Sequence, residues 1–215
     1  VLGQLPGGHE EQKELGVRSL RERALTRKQR SDFRGALEDY DRALKIEPDH
    51  VSTRINRALV HMELGNYDEA LLDLDDSLQR EPGRLEALIN RGLVHHSLNE
   101  HSKALEDFNE ALERDPSSSM ARVNRSLIWR DLGQIDRALE DLSQAIEIEP
   151  QRVEAWINRG ILRSHQGRFR EALRDMNEAI RLDPTQVHAW SERGWIQAYL
   201  GNTKRGLEDL EEAIR

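Results

Sequence analysis

Hydrophobic and small residues recur along this chain with helical spacing, and the same stripe returns every 34 residues. With Val17 as the first place of a unit, a small residue and a leucine fill the twentieth and twenty-first places. A second small-large pair follows seven places later. In the second unit these positions are Ala70, Leu71, Ser77 and Leu78. Spacings of three, four and seven put apolar side chains on one side of an α-helix, so the second half of each unit is predicted to be helical.

The first half of each unit is also predicted to be helical, with a small residue at its eighth place that lets two helices approach closely. That place holds Ala24, Ala58, Gly92, Ser126, Gly160 and Gly194. Residue types that accept the left-handed conformation separate the halves, with Ser31 as the exception in the first unit. They are Gly65, Asn99, Gly133, Gly167 and Gly201. A proline then ends the second helix. These prolines are Pro48, Pro82, Pro116, Pro150 and Pro184.

A helical pair of this length with Trp156, Gly160, Ala172 and Pro184 at their places resembles the tetratricopeptide repeat. The resemblance implies an all-α helical-repeat solenoid, a right-handed superhelix of antiparallel helix pairs. It covers residues 17–215, with repeats predicted at 17–50, 51–84, 85–118, 119–152, 153–186 and 187–215. The family's usual leucine before the small residue and its usual aromatic three places later are absent. Trp156 and its counterpart Trp190 match the family's structural tryptophan and are expected in the core.

The two ends of the chain depart from the repeat pattern. Residues 1–16 contain Pro6 where a core residue would fall, so we expect a flexible leader to about Gly8 and a helix beginning near His9. The last repeat stops at Arg215, its twenty-ninth place, without a polar capping helix. We therefore expect either a piece of a longer or processed protein, or a chain that self-associates through this uncapped end.

Composition narrows the class of partner. With 33% charged and 37% hydrophobic residues the chain suits local burial between neighbouring helices better than one large core. No apolar run is long enough to cross a bilayer and no signal pattern begins the chain, so we expect a soluble protein without membrane insertion, in the cytoplasm by default. The absence of cysteine excludes disulfides and thiolate metal sites. A net charge of -8 argues against nucleic acid and favours a protein or peptide partner.

Two columns of opposite charge are uniform in all six units. The seventh place holds Arg23, Arg57, Arg91, Arg125, Arg159 and Arg193, and the twenty-third holds Asp39, Asp73, Asp107, Asp141, Asp175 and Asp209. An arginine fork can bond a carboxylate twice while its stem packs against apolar neighbours. We favour a structural ladder of ion pairs over a charged ligand site, because a binding site has no reason to recur in every unit. Arg125→Ala is then expected to cost roughly 3 kcal/mol.

A column of asparagines is the first candidate for partner binding. The sixth place holds Asn56, Asn90, Asn124 and Asn158 in the four inner units and glutamate in the outer two. The resemblance implies that this place faces the concave groove, where an amide can grip a peptide backbone without reading side chains. The column is similar to the asparagine ladder of the O-linked N-acetylglucosamine transferase. The alternative is that asparagine is simply the family consensus at this place.

The two ends of the implied groove carry different chemistry. Arg18, Arg21 and Lys28 lie at groove-facing places in a stretch with seven basic and two acidic residues, which would suit an acidic segment of a partner. The alternative is a solvated charged face. At the other end, Trp195 and Tyr199 occupy groove places and are typical of binding hot spots. Their alternative is packing beneath a following helix. Apolar residues at the fifth and ninth places argue against the dicarboxylate clamp of chaperone-binding relatives.

Catalytic and metal chemistry find little support. His61 and His95 share the eleventh place of adjacent units, but no carboxylate or cysteine column completes a ligand set. No phosphate-binding glycine loop, nucleophile elbow or zinc-protease motif is present. We therefore expect no catalytic residue, no metal and no cofactor.

These patterns together predict a non-catalytic scaffold or adaptor that binds an extended peptide or a helix of a partner in its concave groove. Two alternatives remain open. One is a structural module that stacks end to end as a homo-oligomer through the uncapped end, and the other is the substrate-recruiting arm of a larger enzyme.

Overall fold

The chain is built from helices alone in the part that the structure describes. A computed structural model describes residues 7–214, with side chains from Glu14 onward. Its helices are α1 Gly7–Gln29, α2 Phe33–Ile46, α3 Val51–Glu63, α4 Tyr67–Arg80, α5 Leu85–Ser97, α6 His101–Arg114, α7 Ser119–Asp131, α8 Ile135–Ile148, α9 Val153–His165, α10 Phe169–Leu182, α11 Val187–Tyr199 and α12 Thr203–Ile214. Odd-numbered helices are the first helices of the pairs and even-numbered helices are the second.

The turn inside each helix pair uses a left-handed residue, as the sequence predicts. Gly65, Gly133, Gly167 and Gly201 have φ between 71° and 87°, and Asn99 has φ 59°. Ser31 adopts φ 61° at the same place, although its side chain disfavours that conformation. The geometry of the turn is therefore imposed by the helix pair and not by the local residue alone.

The start of α1 differs from the prediction. The helix begins at Gly7, so Gly7 and Gly8 are helical where the sequence assigns them to a leader. The remaining part of the predicted leader, residues 1–6, lies outside the described residues.

The eighth-place residues lie where two helices of a pair meet closely. A Cβ atom on Gly194 would come within 2.9 Å of the carbonyl oxygen of Gly206, and one on Gly92 within 2.8 Å of the Phe108 ring. The prediction that small residues allow this approach is therefore confirmed.

The described residues divide into two compact units of three repeats each, one up to Arg114 and one from Asp115. From here on these are the first unit and the second unit, and each helix pair is a repeat. In the first unit Leu74 and Val94 are fully buried in one apolar cluster. In the second unit Leu142 and Met176 are fully buried in two further clusters. Each unit thus has local cores between neighbouring helices, as expected for stacked repeats.

First helices line the inner side of each unit. In the first unit α3 packs against both α1 and α5, whereas α2, α4 and α6 make no comparable contact with one another. In the second unit α9 packs against α11 in the same way. An array whose first helices are closer together than its second helices curves toward the first helices. The side of the first helices that faces away from the second helices, called the open face, is therefore the concave side of each unit.

Candidate functional site

The arginine and aspartate columns form the predicted ladder of ion pairs. Arg57 donates from Nε and Nη2 to the two carboxylate oxygens of Asp73 at 2.8 and 2.6 Å. Arg193 and Asp209 repeat this geometry at 2.8 and 2.6 Å. The remaining pairs are Arg23–Asp39, Arg91–Asp107, Arg125–Asp141 and Arg159–Asp175. Every one of these aspartates is buried, so its carboxylate is already satisfied inside the fold.

The third guanidinium nitrogen joins neighbouring repeats. Nη1 of Arg57 lies 2.6 Å from a carboxylate oxygen of Asp41 in the preceding second helix. Nη1 of Arg91 lies 2.7 Å from the equivalent Asp75. In the second unit Arg193 bonds Asn177 through the same atom at 2.8 Å. One arginine thereby fixes both its own helix pair and the pair before it.

The eleventh place supplies a second cation to some of the buried aspartates. Arg163 donates to Asp175 at 2.7 Å, and Arg27 lies 3.0 Å from Asp39. These arginines stand where the family's aromatic would be. The hydrogen bond from Arg23 holds the pKa of Asp39 below its ordinary value. Burial, by contrast, raises the pKa of Asp107 despite its hydrogen bond from Arg91.

The asparagine column lies on the open face of the first helices. Asn56 and Asn90 are half-buried at the same place on α3 and α5, which pack together. Neither side chain has a hydrogen-bond partner within residues 14–214. The fifth-place neighbours Ile55 and Ile89 are buried, at 3% and 5% exposure, so they belong to the core and not to the groove.

The second unit carries the same residue type at the same place on α7 and α9. Asn124 and Asn158 are half-buried there, and their amides have no hydrogen-bond partner in the described part of the chain. Leu127 and Ile161 at the ninth place are half-buried beside them. Each unit thus presents two unpaired amides next to apolar side chains.

The basic residues at the start of the array are mostly engaged in ion pairs. Nη1 of Arg21 lies 2.5 Å from a carboxylate oxygen of Glu47, and Nε of Arg18 lies 2.9 Å from one of Glu22. Lys28 is half-buried and has no charged partner in the described residues. Of the three predicted groove cations, Lys28 is therefore the one most available to a partner.

Three aromatic rings form an exposed cluster in the second unit. Trp195 and Tyr199 are 50% and 65% exposed and stack with ring centroids 5.4 Å apart. Phe169, the first residue of α10, lies 4.7 Å from Tyr199 and 5.9 Å from Trp195. The two predicted residues thus contact Phe169 of the preceding helix pair. Sequence reasoning missed Phe169, although Phe33, Tyr67 and Ile135 at the same place show that the column is apolar.

Trp156 and Trp190 pack against the apolar clusters of the second unit, as the sequence suggests, but both remain half-buried. Each indole N–H donates to a proline carbonyl six residues earlier, at 2.9 Å to Pro150 and 2.8 Å to Pro184. Arg122 bonds Pro116 in the same way at 2.9 Å. At this fourth place a long side chain with an N–H donor can thus bond the proline carbonyl, whereas the third repeat fills the place with the buried Leu88.

Among the histidines from His50 onward, His95 is held by other side chains. His95 accepts or donates a hydrogen bond with Glu100 at 2.7 Å, and its other nitrogen lies 4.0 Å from Asp107. Among the side chains that the structure describes, no group of three histidine, aspartate or glutamate residues is placed to hold a metal ion. Across residues 7–214, no helix combines the length and apolar character needed to span a membrane.

Paired helices, which after α1 are 12 to 14 residues long, left-handed turns and a repeated junction define a helical-repeat protein. Family models described as tetratricopeptide repeat match residues 21–83, 55–119 and 132–187. The chain belongs to the tetratricopeptide repeat family. No curated protein matches it in sequence.

Solved structures support the same fold. PilW, a type IV pilus biogenesis factor, superposes with a TM-score of 0.79 at 21% identity, covering 90% of this chain and 90% of PilW. A tetratricopeptide repeat protein from Parabacteroides merdae gives 0.70 at 24% identity, covering 93% and 79%. YrrB, described as having an unusual peptide-binding site, gives 0.58 at 23% identity, covering 81% and 90%. At these identities the similarity establishes the helical-repeat solenoid fold alone.

Proposed function

We propose that this chain is a non-catalytic scaffold that binds an extended segment of another protein along the open face of its first helices. The observation that carries the proposal is the pair of half-buried amides of Asn56 and Asn90, which have no hydrogen-bond partner within residues 14–214. A half-buried polar group without a partner gains more from a ligand than one already bonded. An amide offers both a donor and an acceptor, which match the two polar groups of a peptide unit.

The spacing of the helices suits an extended ligand. Packed helices lie about 8 to 10 Å apart, and an extended chain advances about 3.3 Å per residue. One asparagine would therefore meet roughly every third residue of the bound segment. Half-buried Leu59 and Leu93 beside the amides offer apolar surface to its side chains.

The aromatic cluster of Phe169, Trp195 and Tyr199 adds an anchoring surface to the second unit. Exposed tryptophan and tyrosine dominate the binding energy of many interfaces. Because Phe169 and the stacking already hold these rings in place, little side-chain entropy is lost when a partner covers them. We expect an apolar or aromatic side chain of the bound segment here.

The test starts from peptides selected out of a random library by the whole chain. Their affinities are then measured calorimetrically for the wild type and for the Asn56→Ala, Asn90→Ala double variant. Two lost hydrogen bonds at about 1 kcal/mol each weaken binding roughly 30-fold. Since the amides would read the backbone, selected peptides of unrelated sequence should lose affinity by a similar factor. Unchanged affinity, or a loss confined to one peptide, would reject the proposal.

Asn66→Ala is the matched control. Asn66 is exposed before α4 and its side chain makes no capping hydrogen bond, so this variant should bind as the wild type does. Circular dichroism of all variants separates a loss of binding from a loss of fold. The Asn124→Ala, Asn158→Ala double variant applies the same test to the second unit.

A further inference from the structure

Three arginines form a basic ridge on the outer face of α10, the side that faces away from the first helices. Arg170 and Arg174 lie one turn apart, Arg181 lies two turns further on, and all three are exposed. With spacings of four and seven they share one side of the helix and extend along about 16 Å of its axis. The repeat that contains them packs against neighbours on both sides, through α8 and through α11, so the ridge is exposed with both neighbours in place.

The fifth repeat alone carries this charge pattern. Its three places, the eighteenth, twenty-second and twenty-ninth, hold Asp136, Glu140 and Glu147 in α8, which are all exposed. In the remaining second helices they hold Arg34, Glu38 and Lys45; Asp68, Leu72 and Gln79; Ser102, Glu106 and Glu113; and Lys204, Glu208 and Arg215. Every second helix except α10 thus has an acidic residue among the three, so the ridge is not a requirement of the fold.

The ridge costs stability in the helix that carries it. Arg170 and Arg174 repel each other at a spacing of four residues, and Arg170 stands in the first turn, where a cation opposes the helix dipole. Neither side chain has a hydrogen bond or an ion pair within residues 14–214. Glu171, the acidic residue of the same turn, already bonds Arg168 at 2.8 and 2.6 Å. Places that break a local rule without a gain in the fold are where function is expected.

We propose that the basic ridge binds an acidic segment of another protein, at a surface separate from the open face. An arginine guanidinium matches a carboxylate with two parallel hydrogen bonds. Arg170 and Arg174 stand about 6 Å apart along the helix axis, and Arg174 and Arg181 about 10 Å. Because an extended segment advances about 3.3 Å per residue, its carboxylates would follow one another by about two and then about three residues.

The acidic residues of the neighbouring helix select for a narrow partner. A nucleic-acid duplex or an anionic bilayer covers more than one repeat, so its charge would also meet Asp136, Glu140 and Glu147 on α8. A single peptide segment can follow α10 and avoid them. Beside Arg174, an open cavity of about 560 Å³ that is also lined by Trp156 gives room for a side chain of that segment.

Fluorescence anisotropy of a labelled polyglutamate peptide, titrated with the whole chain, tests the proposal. Binding should weaken as salt is added. The Arg170→Glu, Arg174→Glu double variant should bind roughly tenfold more weakly, because two exposed ion pairs are replaced by repulsion. The Asn56→Ala, Asn90→Ala double variant should bind polyglutamate as the wild type does. A failure of the open face and a failure of the ridge are thereby told apart.

The Arg34→Glu, Lys45→Glu double variant is the matched control, because it makes the same change in net charge at the eighteenth and twenty-ninth places of α2. It should bind as the wild type does, and circular dichroism should show that all variants keep their helices. An equal loss of affinity in both charge variants would overturn the proposal, since net charge alone would then account for binding.

Three other results would also overturn it. The first is a wild type that does not bind polyglutamate, and the second is tighter binding to duplex RNA or to phosphatidylserine vesicles than to polyglutamate. The third is a loss of affinity with Lys28→Glu but not with the α10 variant, which would place the acidic segment at the start of the array.

Discussion

Replacing Arg57 by alanine would leave a buried carboxylate without its counter-charge. Asp73 is 4% exposed, and Arg57 is the partner of its carboxylate within the described residues. The same substitution at Arg159 is different, because Asp175 keeps the hydrogen bond from Arg163 at 2.7 Å. The pair of substitutions therefore compares an orphaned aspartate with one that remains paired.

The expected costs follow from this difference. Breaking a buried ion pair costs about 3 to 5 kcal/mol. We expect about 3 kcal/mol for Arg57→Ala, at the low end, because the side chain of Arg57 is 22% exposed. For Arg159→Ala we expect about 1.5 kcal/mol, the value of one charge-assisted hydrogen bond, because Arg163 still neutralises the carboxylate.

Urea denaturation followed by circular dichroism measures the total cost. Hydrogen exchange of α3 and α4 locates it, which matters because repeat arrays can open locally. Adding Asp73→Ala to Arg57→Ala should restore part of the loss, since the uncompensated charge is then removed. Equal destabilisation by Arg57→Ala and Arg159→Ala would refute the argument that the orphaned charge sets the cost.

Two further predictions concern single positions. Ser31→Gly should stabilise the fold by about 1 kcal/mol, because glycine accepts the left-handed conformation without strain; a melting temperature that is not raised would contradict this. Because the hydrogen bond from Arg23 lowers the pKa of Asp39, the ionised carboxylate of Asp39 stabilises the fold at pH values above the ordinary pKa of an aspartate. This contribution is lost as pH falls through the lowered pKa of Asp39. Burial raises the pKa of Asp107, so its ionised form carries a cost that is relieved as pH falls through the raised value. Asp39→Asn should thus destabilise more than Asp107→Asn in neutral urea titrations, and the difference should shrink in acid; the reverse order would reject this reasoning.

Repetition is what made the scaffold predictable from sequence. Because each place occurs six times, Gly65 and its counterparts could be assigned to left-handed turns, and Arg57 and Asp73 could be assigned to one junction without any coordinates. Steric constraints supported these assignments, because only small residues fit where two helices cross closely and few residue types other than glycine adopt the left-handed conformation of the turns.

Features that occur once could not be predicted in this way. Arg21 pairs with Glu47, 26 residues away. The fifth place, which Arg21 occupies, is apolar in the inner repeats, so comparison of the repeats did not predict the contact. The aromatic cluster needs Phe169 from one repeat and Trp195 from the next, and the sequence shows each residue without its neighbour. Such pairings depend on how two helices face each other, which periodicity does not specify.

The arginine that bonds both its own aspartate and the preceding helix makes the repeats interchangeable at their junctions. Arg57 and Arg91 use the same three nitrogen atoms in the same roles. Deletion or duplication of one whole repeat would therefore bring together an arginine guanidinium and an acceptor side chain of the preceding second helix that already fit each other. The length of such an array can thus change through gene duplication, in steps of one repeat, while every existing helix pair keeps its structure.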